Sequence, residues 1–373
     1  MSSPSMDNGQ LTPETVPTTV GIDIRVESPQ TLNRDAWDAF VSEHEAATPY
    51  HLSAWILGVE RAYGHQCYAV MAYRGSTLCG VLPLTYIRRP VGRGVLVSLP
   101  FCDVGGTLAG DEVVHHALIE AARGLAADCG LNGFELRHRG AAIPGDGETA
   151  PIKVSMQRAL PGDSDTLLGQ FKAKLRSQIR KAEKNGLTGE VRTDVSALDA
   201  FYPMFAENMR RLGSPVHGID WFRELLAAYG DRFRIGLVYY GDQVVGGGIV
   251  LMNARSACIP WASTLPEYNR LAPNMLLYWR LLSHVCDDGA EWFDFGRSTL
   301  GEGTYRFKKQ WGAAPFQLDW QQWTLDGLNE NEHPAAPSPI ARWVRELVER
   351  GWRQLPLSVT RWLGPRIRKY ITL

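Results

Sequence analysis

Residues 55–80 read WILGVERAYGHQCYAVMAYRGSTLCG, and residues 221–246 read WFRELLAAYGDRFRIGLVYYGDQVVG. At an offset of 166 residues the two stretches are identical at seven of 26 positions, whereas unrelated stretches of average composition would share about one or two. The identical pairs are Trp55/Trp221, Ala62/Ala228, Tyr63/Tyr229, Gly64/Gly230, Tyr73/Tyr239, Gly75/Gly241 and Gly80/Gly246. The match predicts two copies of one domain.

The similarity continues downstream, where the offset becomes 159 because one loop differs in length. In both copies the hydrophobic pattern predicts a tryptophan-bearing helix, a β-hairpin, a strand, a second helix and a last strand. The predicted elements after the first helix are 67–74, 78–87, 94–100, 112–129 and 133–137 in one copy, and 233–240, 243–252, 257–263, 273–288 and 292–295 in the other. Each copy therefore reads as a mixed α/β unit.

These units fix the predicted domain organisation of the 373-residue chain. A polar, disordered N-terminus covers 1–20, a first domain 21–160, and a second domain 161–328, which includes a basic helix at 165–186. The segment 329–373 combines a proline-rich linker with a basic, aromatic tail. The tail can be a membrane-surface anchor or a strap packed across the domains.

Composition narrows the classes of function. A formal net charge of −1 excludes a globally basic protein that wraps nucleic acid. The six cysteines form no CxxC pair and the nine histidines no HxxxH pair, so we predict a reducing compartment and neither a disulfide framework nor a metal site. The polar N-terminus lacks the pattern of a signal peptide, and no apolar run is long enough to span a membrane.

An anion site is one candidate in the second copy. Pro273 suits the first position of a helix, and the free N–H groups at a helix start attract phosphate or pyrophosphate. Arg270 and Asn274 flank this position and are the candidate cofactor-binding residues. The corresponding helix of the first copy begins with two acids, which would repel phosphate. An ordinary surface helix start remains the alternative.

A second candidate lies where the last strand of the second copy ends, at WFDFGRS (292–298). Phe293 and Phe295 share one face of this strand and Asp294 points to the other. Gly296 permits a turn or the close approach of a ligand, and Arg297 adds a cation. Residues 301–312 then combine glycines, cations and aromatics, which suits an anionic ligand or, alternatively, a solvated hairpin.

Further cations lie on the helices. The basic helix 165–186 carries an apolar stripe and a cationic face that could bind tRNA or a nucleotide-sugar diphosphate, or could simply be solvated. Arg210 and Arg211 close the next helix, where they could stabilise its dipole or clamp a phosphate.

Three stretches resemble one known family. KLRSQIRKAEKNG (174–186), FDFGRS (293–298) and YRFKK (305–309), together with the duplication, resemble the FemAB family over residues 25–328. Residues 211–215 and the tail are similar to the FemAB-related branch associated with exosortase/PEP-CTERM exopolysaccharide gene clusters. The resemblance implies two tandem acetyltransferase-like (GNAT) folds, with mixed sheets flanked by helices, and a donor that is acyl-CoA or aminoacyl-tRNA.

The resemblance also implies roles for single residues. Fem proteins carry a Phe-Lys pair in the active site, which corresponds to Phe307-Lys308, and an arginine that binds substrate diphosphate, which corresponds to Arg210, with Arg211 as the alternative. Tyr305 belongs to the same motif and is a candidate substrate-binding residue. The long coiled-coil arm of some Fem members is absent, and 269–274 lacks the usual acyl-CoA pyrophosphate signature.

We therefore predict a cytoplasmic N-acyltransferase that acylates an amine of a cell-envelope or exopolysaccharide precursor. If the tail is a membrane anchor, the enzyme is peripheral at the inner membrane. The acceptor is an amine-bearing sugar or peptide. Lys308 would stabilise the oxyanion and Asp294 would act as base, while Arg210, Arg211 and Arg297 would hold phosphate or sugar-acid groups. The alternative is a non-catalytic membrane-surface scaffold for exopolysaccharide assembly. A third hypothesis is tRNA binding through the basic helix.

Overall fold

A computed structural model describes residues 21–143, 152–329 and 339–373, apart from the side chains of 339–342 and 344. The predicted disordered N-terminus (1–20) and almost all of the proline-rich linker lie outside the described residues. The predicted limits of the two domains, 21–160 and 161–328, stay a prediction.

Within the described residues, fourteen strands form one mixed sheet. The strands are β1 Asp23–Glu27, β2 Gln66–Arg74, β3 Thr77–Ile87, β4 Val95–Val97, β5 Leu108–Ala109, β6 Gly133–Ala142, β7 Lys153–Ala159, β8 Leu187–Arg192, β9 Phe233–Tyr240, β10 Gln243–Met252, β11 Ser256–Thr264, β12 Trp292–Thr299, β13 Ala314–Thr324 and β14 Gly327–Leu328.

Helices cover both faces of this sheet. They are α1 Arg34–Glu43, α2 Ser53–Tyr63, α3 Glu112–Asp128, α4 Ser164–Gln170, α5 Ala173–Lys184, α6 Val195–Leu212, α7 Ile219–Tyr229, α8 Pro273–Asp287, α9 Gly303–Gln310, α10 Pro339–Gln354 and α11 Leu357–Arg368, with 3₁₀ turns at Pro49–His51, Gly230–Arg232 and Pro266–Leu271. The predicted mixed α/β fold is confirmed.

The strand order has an internal symmetry. It runs β1-β2-β3-β4-β6-β13-β7-β12-β11-β10-β9-β8, so each half of the sheet repeats the other in reverse. The two central strands are exchanged. β7 follows the first copy in sequence but pairs with β12 of the second, while β13 follows the second copy but pairs with β6 of the first. β13 and β7 then pair with each other and join the halves into one continuous sheet.

The repeated elements form where the pattern predicts them. Both hairpins turn at a glycine with positive φ, 60° at Gly75 and 58° at Gly241, because glycine has no Cβ to obstruct that conformation. Gly64 ends α2 in the left-handed conformation in the same way. Only strand lengths differ appreciably: β4 is shorter than predicted, and β6 and β12 are longer.

Two local predictions need correction. The basic helix 165–186 is two helices, α4 and α5, because Phe171 and Lys172 adopt extended backbone angles between them. The break lets the Phe171 ring, which is 3% exposed, pack edge-on against Trp311 at 5.4 Å. The alternative of a solvated hairpin at 301–312 is wrong, because α9 occupies most of that stretch.

The helices of the repeat pack on each other. The Trp55 and Trp221 rings, which correspond in the two copies, are fully buried and meet edge-to-face at 5.2 Å between centroids. A Cβ on Gly58 would lie 2.6 Å from a Leu225 methyl group, so glycine allows α2 to approach α7 closely. The two halves of the protein therefore share one hydrophobic core, which holds them together.

The tail packs across both halves. α10 and α11 contact α6, and a Cβ on Gly213 would lie 3.0 Å from Glu349 of α10. The last residues reach the first half, where the N–H of Phe101 donates to Thr372 O at 2.6 Å. The tail is therefore a strap packed across the two halves, which was one of its two predicted arrangements.

Candidate active site

Two parallel strands separate at the centre of the second half. β11 and β12 pair only through Ser256–Cys258 and Trp292–Asp294, and then diverge. Asp294 is thus the last residue of β12 that pairs with β11. Gly296 follows with φ of 75°, and the register of β12 against β7 shifts between Asp294 and Arg297. The chain therefore forms a bulge at Gly296 within β12, and the turn that the sequence suggested at this glycine is absent because the strand continues to Thr299.

Lys308 projects from α9 towards the opening between β11 and β12. Its Nζ donates to Gly296 O at 3.0 Å and to Arg297 O at 2.8 Å, and the residue is 8% exposed. A Cβ placed on Gly296 would lie 4.0 Å from Nζ and 3.8 Å from Ile259 O across the opening. Burial lowers the pKa of Lys308 to about 8, although the negative charges of Asp294 and Asp103 oppose the change.

Asp294 lies opposite, on the face of β12 that looks away from the aromatic core, as predicted. Its carboxylate accepts hydrogen bonds from Gly296 N at 2.7 Å, Ser155 Oγ at 3.0 Å and Gln157 Nε2 at 3.2 Å. Burial nevertheless raises the pKa of Asp294, and the neighbouring Asp103 raises it further. A carboxylate with a raised pKa beside a lysine with a lowered pKa is typical of acid–base sites.

Arg297 joins this cluster. Its Nε lies 3.4 Å from Asp103 Oδ1, and its guanidinium lies 5.5 Å from the centre of the Trp320 ring. Arg137 of β6 stacks on the same ring at 5.1 Å. Trp320 is held in turn by its own Nε1, which donates to Asp103 O at 2.9 Å. Arg297 is 34% exposed, so the cluster is open to solvent.

The first half has closed its equivalent opening. β4 and β6 pair at Val97 and Glu135, and the Arg137 side chain then fills the space beyond. Its Nη1 donates to Leu99 O at 3.2 Å and to Cys102 O at 2.8 Å, and Arg137 is 1% exposed. Among the described residues, the place beyond the parallel pairing is thus filled by Arg137 of the sheet itself in the first half, whereas in the second half Lys308 reaches it from α9.

Two predicted aromatic residues serve packing. Tyr305 is 4% exposed within the second hydrophobic core. Phe307 packs edge-on against Tyr278 at 4.9 Å between centroids. Both lie on α9 beside Lys308, and their rings stabilise the helix that presents its ammonium group.

The two predicted phosphate-binding arginines of α6 have other partners. Arg210 donates to Leu355 O at 3.4 Å and lies 3.6 Å from Glu207. Arg211 donates to Asn208 Oδ1 at 2.7 Å, and Asn208 contacts Ser263 at the end of β11 at 2.9 Å. These contacts link Arg211 to the far end of the opening, whereas Arg210 anchors the tail.

The predicted cofactor-binding residues lie at the start of α8. Arg270 is exposed and Asn274 is half-buried. Ala272, which precedes the helix, has φ of 66° and caps no N–H with its side chain. In the first half, by contrast, Asp111 caps α3 through a 3.0 Å bond to Val114 N.

Sequence reasoning missed Asp103, Arg137, Ser155, Gln157 and Trp320. These residues come from four separate segments that only the folded sheet brings together. One signal was available, because the offset of 159 aligns Glu135 with Asp294 and so points to the end of β6. Among the described residues, no group of three metal-ligating side chains is arranged to hold a metal ion.

The chain is similar to several known proteins in sequence and in fold. Residues 169–309 match the model of an acetyltransferase (GNAT) domain. The UDP-N-acetylmuramoylpentapeptide-lysine N(6)-alanyltransferase of Weissella viridescens is 22% identical over 187 residues, which cover 48% of this chain and 54% of the relative. The chain thus aligns with about half the length of that relative. The crystal structure of FemX superposes with a TM-score of 0.63 at 15% identity, covering 85% of this chain and 98% of FemX. The chain is thus similar to a GNAT domain over residues 169–309 and to Fem-type proteins in sequence and fold.

A tandem GNAT protein from the clavulanic acid biosynthesis pathway shares the fold of this chain, with a TM-score of 0.52 and 13% identity, and the match covers 82% of this chain and 98% of that protein. These structural likenesses confirm the predicted tandem fold. The GNAT match and the Fem-type relatives also support the prediction of an N-acyltransferase. No helix of the described residues is both long and apolar enough to cross a membrane.

Proposed function

We propose that this protein is a FemAB-related N-acyltransferase that moves an acyl or aminoacyl group from acyl-CoA or aminoacyl-tRNA to a primary amine. One observation carries the proposal: β11 and β12 separate at Asp294, and Lys308 reaches the same gap from α9. A donor whose acyl group enters between the strands would place its carbonyl carbon between a carboxylate and a buried ammonium.

The reaction needs both groups. The acceptor nitrogen attacks the donor carbonyl, a C–N bond forms, and the C–S bond of CoA or the C–O bond of tRNA breaks. Lys308, as an ammonium, stabilises the negative charge that develops on the carbonyl oxygen. Asp294 accepts the proton that the amine loses, and the leaving group then takes up a proton.

The start of α8 is the proposed anchor for donor phosphates. Its first N–H groups have no side-chain cap, Asn274 stands in the first turn, and Arg270 adds a positive charge one turn away. The start of α3 is occupied by Asp111, which Arg74 contacts at 2.7 Å. The contrast supports one donor site, in the second half.

Calorimetric titration with acetyl-CoA, a longer acyl-CoA and charged tRNA tests the donor. Asn274→Asp places a negative charge where phosphate should bind, so it should weaken binding of an acyl-CoA donor. Val113→Asp, at the second residue of α3, is the matched control and should leave binding unchanged. If none of the three donors binds, the proposal is wrong.

The class of the acceptor is supported by the name of one relative. The Weissella relative, by name, acts on a lysine amine of a UDP-linked muramoyl pentapeptide. We propose an amine of a cell-envelope or exopolysaccharide precursor. Transfer to the muramoyl pentapeptide and to an amino sugar, compared in one assay, separates the two classes, and Lys308→Met should abolish whichever activity is found.

We also propose that α10 and α11 touch an anionic membrane surface. Trp343 and Val348 are each 62% exposed on α10, Leu347 is 45% exposed beside them, and Trp362 of α11 is 60% exposed. The tail from 341 to 373 carries eight basic and two acidic residues. Exposed tryptophans beside arginines suit a lipid headgroup region.

Sedimentation with vesicles tests this contact. Wild-type protein should pellet with phosphatidylglycerol vesicles and less with phosphatidylcholine vesicles, and Trp343→Ser should reduce the pelleted fraction. Val91→Ser, which removes an apolar side chain that is 87% exposed in the first half, is the control. Concentration-dependent dimers with no vesicle binding would instead assign the face to a second copy. The predicted cytoplasmic location stays a prediction.

A further inference from the structure

The last residues of the chain form part of the wall around the Lys308 cluster. In this C-terminal strap (residues 368–373), Thr372 O accepts from Arg137 Nη1 at 3.1 Å as well as from Phe101 N. His65 donates to Lys369 O at 2.8 Å. Phe101 adopts a φ of 66°, which is unfavourable for a residue with a side chain, at the point where it meets the strap. The strap is therefore fixed at several points on the first half.

Arg368 is the cation that the strap brings to the site. Its guanidinium lies 5.5 Å from the Phe101 ring, and its Nε donates to His217 Nε2 at 3.0 Å. Because arginine only donates, His217 Nε2 must accept. The proton of neutral His217 then lies on Nδ1, which is 2.5 Å from the hydroxyl of Tyr63.

Arg368 lacks a negative partner. Throughout the described segments, no aspartate or glutamate carboxylate lies within salt-bridge distance of Arg368. Burial lowers the pKa of Arg368 to about 10; Tyr63 opposes the change, and the positive charges of Arg297 and Arg137 add to it. Three guanidinium groups thus share one neighbourhood. Arg137 is paired with Glu135, Arg297 has one 3.4 Å contact with Asp103, and Arg368 has no acid.

We propose that Arg297 and Arg368, above a floor formed by Arg137, are a subsite for an anionic group of the acceptor substrate. This inference rests on the proposed function and narrows it, because it requires an acceptor with a phosphate or carboxylate close to its reactive amine. Guanidinium groups bind both anions through paired hydrogen bonds. The acid that Arg368 lacks would be supplied by the substrate, and the C-terminal strap would be a component of the active site.

Binding of simple anions tests the subsite without any transfer reaction. Titration calorimetry of the full chain at low salt would use inorganic pyrophosphate in one series and malonate in another. We expect saturable binding. The anion that binds more strongly shows whether the subsite takes a phosphate or a carboxylate. Arg368→Gln should weaken binding at least about tenfold, since a hydrogen bond to a charged group contributes about that much. Arg368→Lys should lose less because it keeps the charge.

Arg366→Gln is the matched control. It removes the same charge from the same helix, but Arg366 is exposed and stacks on Trp362 at 4.3 Å. The inference is wrong if neither anion binds, if Arg366→Gln weakens binding as much as Arg368→Gln does, or if Arg368→Gln binds like the wild type. Should Arg368→Gln fail to fold, Arg297→Gln must show the same loss. If the protein binds anions through Arg368 but transfers no acyl group, the proposed function is wrong, and what remains is an anion site without an acceptor.

Discussion

Replacement of Lys308 by methionine separates the electrostatics of the site from its chemistry. Methionine keeps the unbranched shape of the side chain but carries no charge. The variant loses the two hydrogen bonds to Gly296 O and Arg297 O. It also loses a buried positive charge, which destabilises the wild-type fold. We expect the stability difference between Lys308→Met and the wild type to depend strongly on pH.

The magnitude follows from the pKa. Lys308 falls from its ordinary value of 10.5 to about 8 on folding, which corresponds to about 3 kcal/mol of unfavourable burial at neutral pH. Between pH 8 and 10.5 the unfolded chain binds a proton at Lys308 that the folded chain has released. Raising the pH through this window therefore favours the folded wild type. From pH 7.5 to 10 it should gain about 2 kcal/mol relative to Lys308→Met.

Urea unfolding at both pH values measures this gain directly and requires no substrate. Lys309→Met is the matched control, because it makes the same chemical change at the next residue of α9, on an exposed side chain. Its stability relative to the wild type should stay nearly constant over the same range. A constant difference for Lys308→Met, or a loss of wild-type stability relative to it at high pH, would refute the assigned environment of Lys308.

Three further predictions follow from the same geometry. Asp294→Asn should lower kcat by about 10²–10⁴-fold. In the wild type, kcat/KM should rise with pH as Asp294 ionises and fall above about pH 8 as Lys308 loses its proton. The variant should lack the rise on the acidic side of this profile. Gly133→Ala should destabilise the fold by about 2 kcal/mol or more in thermal unfolding, because its Cβ would overlap Trp323 O of β13. Gly124→Ala on α3 is the control and should be neutral or stabilising, because its Cβ meets nothing within 4 Å. Trp55→Ala should lower the free energy of unfolding by about 3–5 kcal/mol, measured in urea, and an effect below 1 kcal/mol would contradict a core shared by both halves.

Local order was largely predictable from the sequence. The hairpins and helices of both copies follow from short-range signals: glycine at the turns, apolar periodicity along α3 and α8, and a tryptophan helix that ends at glycine. The break at Phe171 was not predictable, because it depends on the contact of that ring with Trp311. The exchange of β7 and β13 was equally hidden, since a strand's sequence shows its buried face but not which distant strand it pairs with.

The candidate site divides in the same way. Asp294, Arg297 and Lys308 were predicted because they lie within 15 residues of each other around one strand end. Asp103, Arg137 and Arg368 were missed because they come from a loop, another strand and the last helix. Arg210 was proposed through family resemblance, but its contacts here are with the tail. Sequence proximity reveals one side of a site, and only the fold reveals the others.

The exchange of strands has a consequence for synthesis on the ribosome. β6 ends at Ala142, and its partner β13 begins roughly 170 residues later, which takes about 10–30 s at ordinary translation rates. During this interval the newly made first half exposes the unpaired edge of β6, a template for unwanted pairing with other chains. The nascent protein thus remains vulnerable to aggregation until its second half has emerged, and its yield in the cell should depend on chaperones that shield that edge.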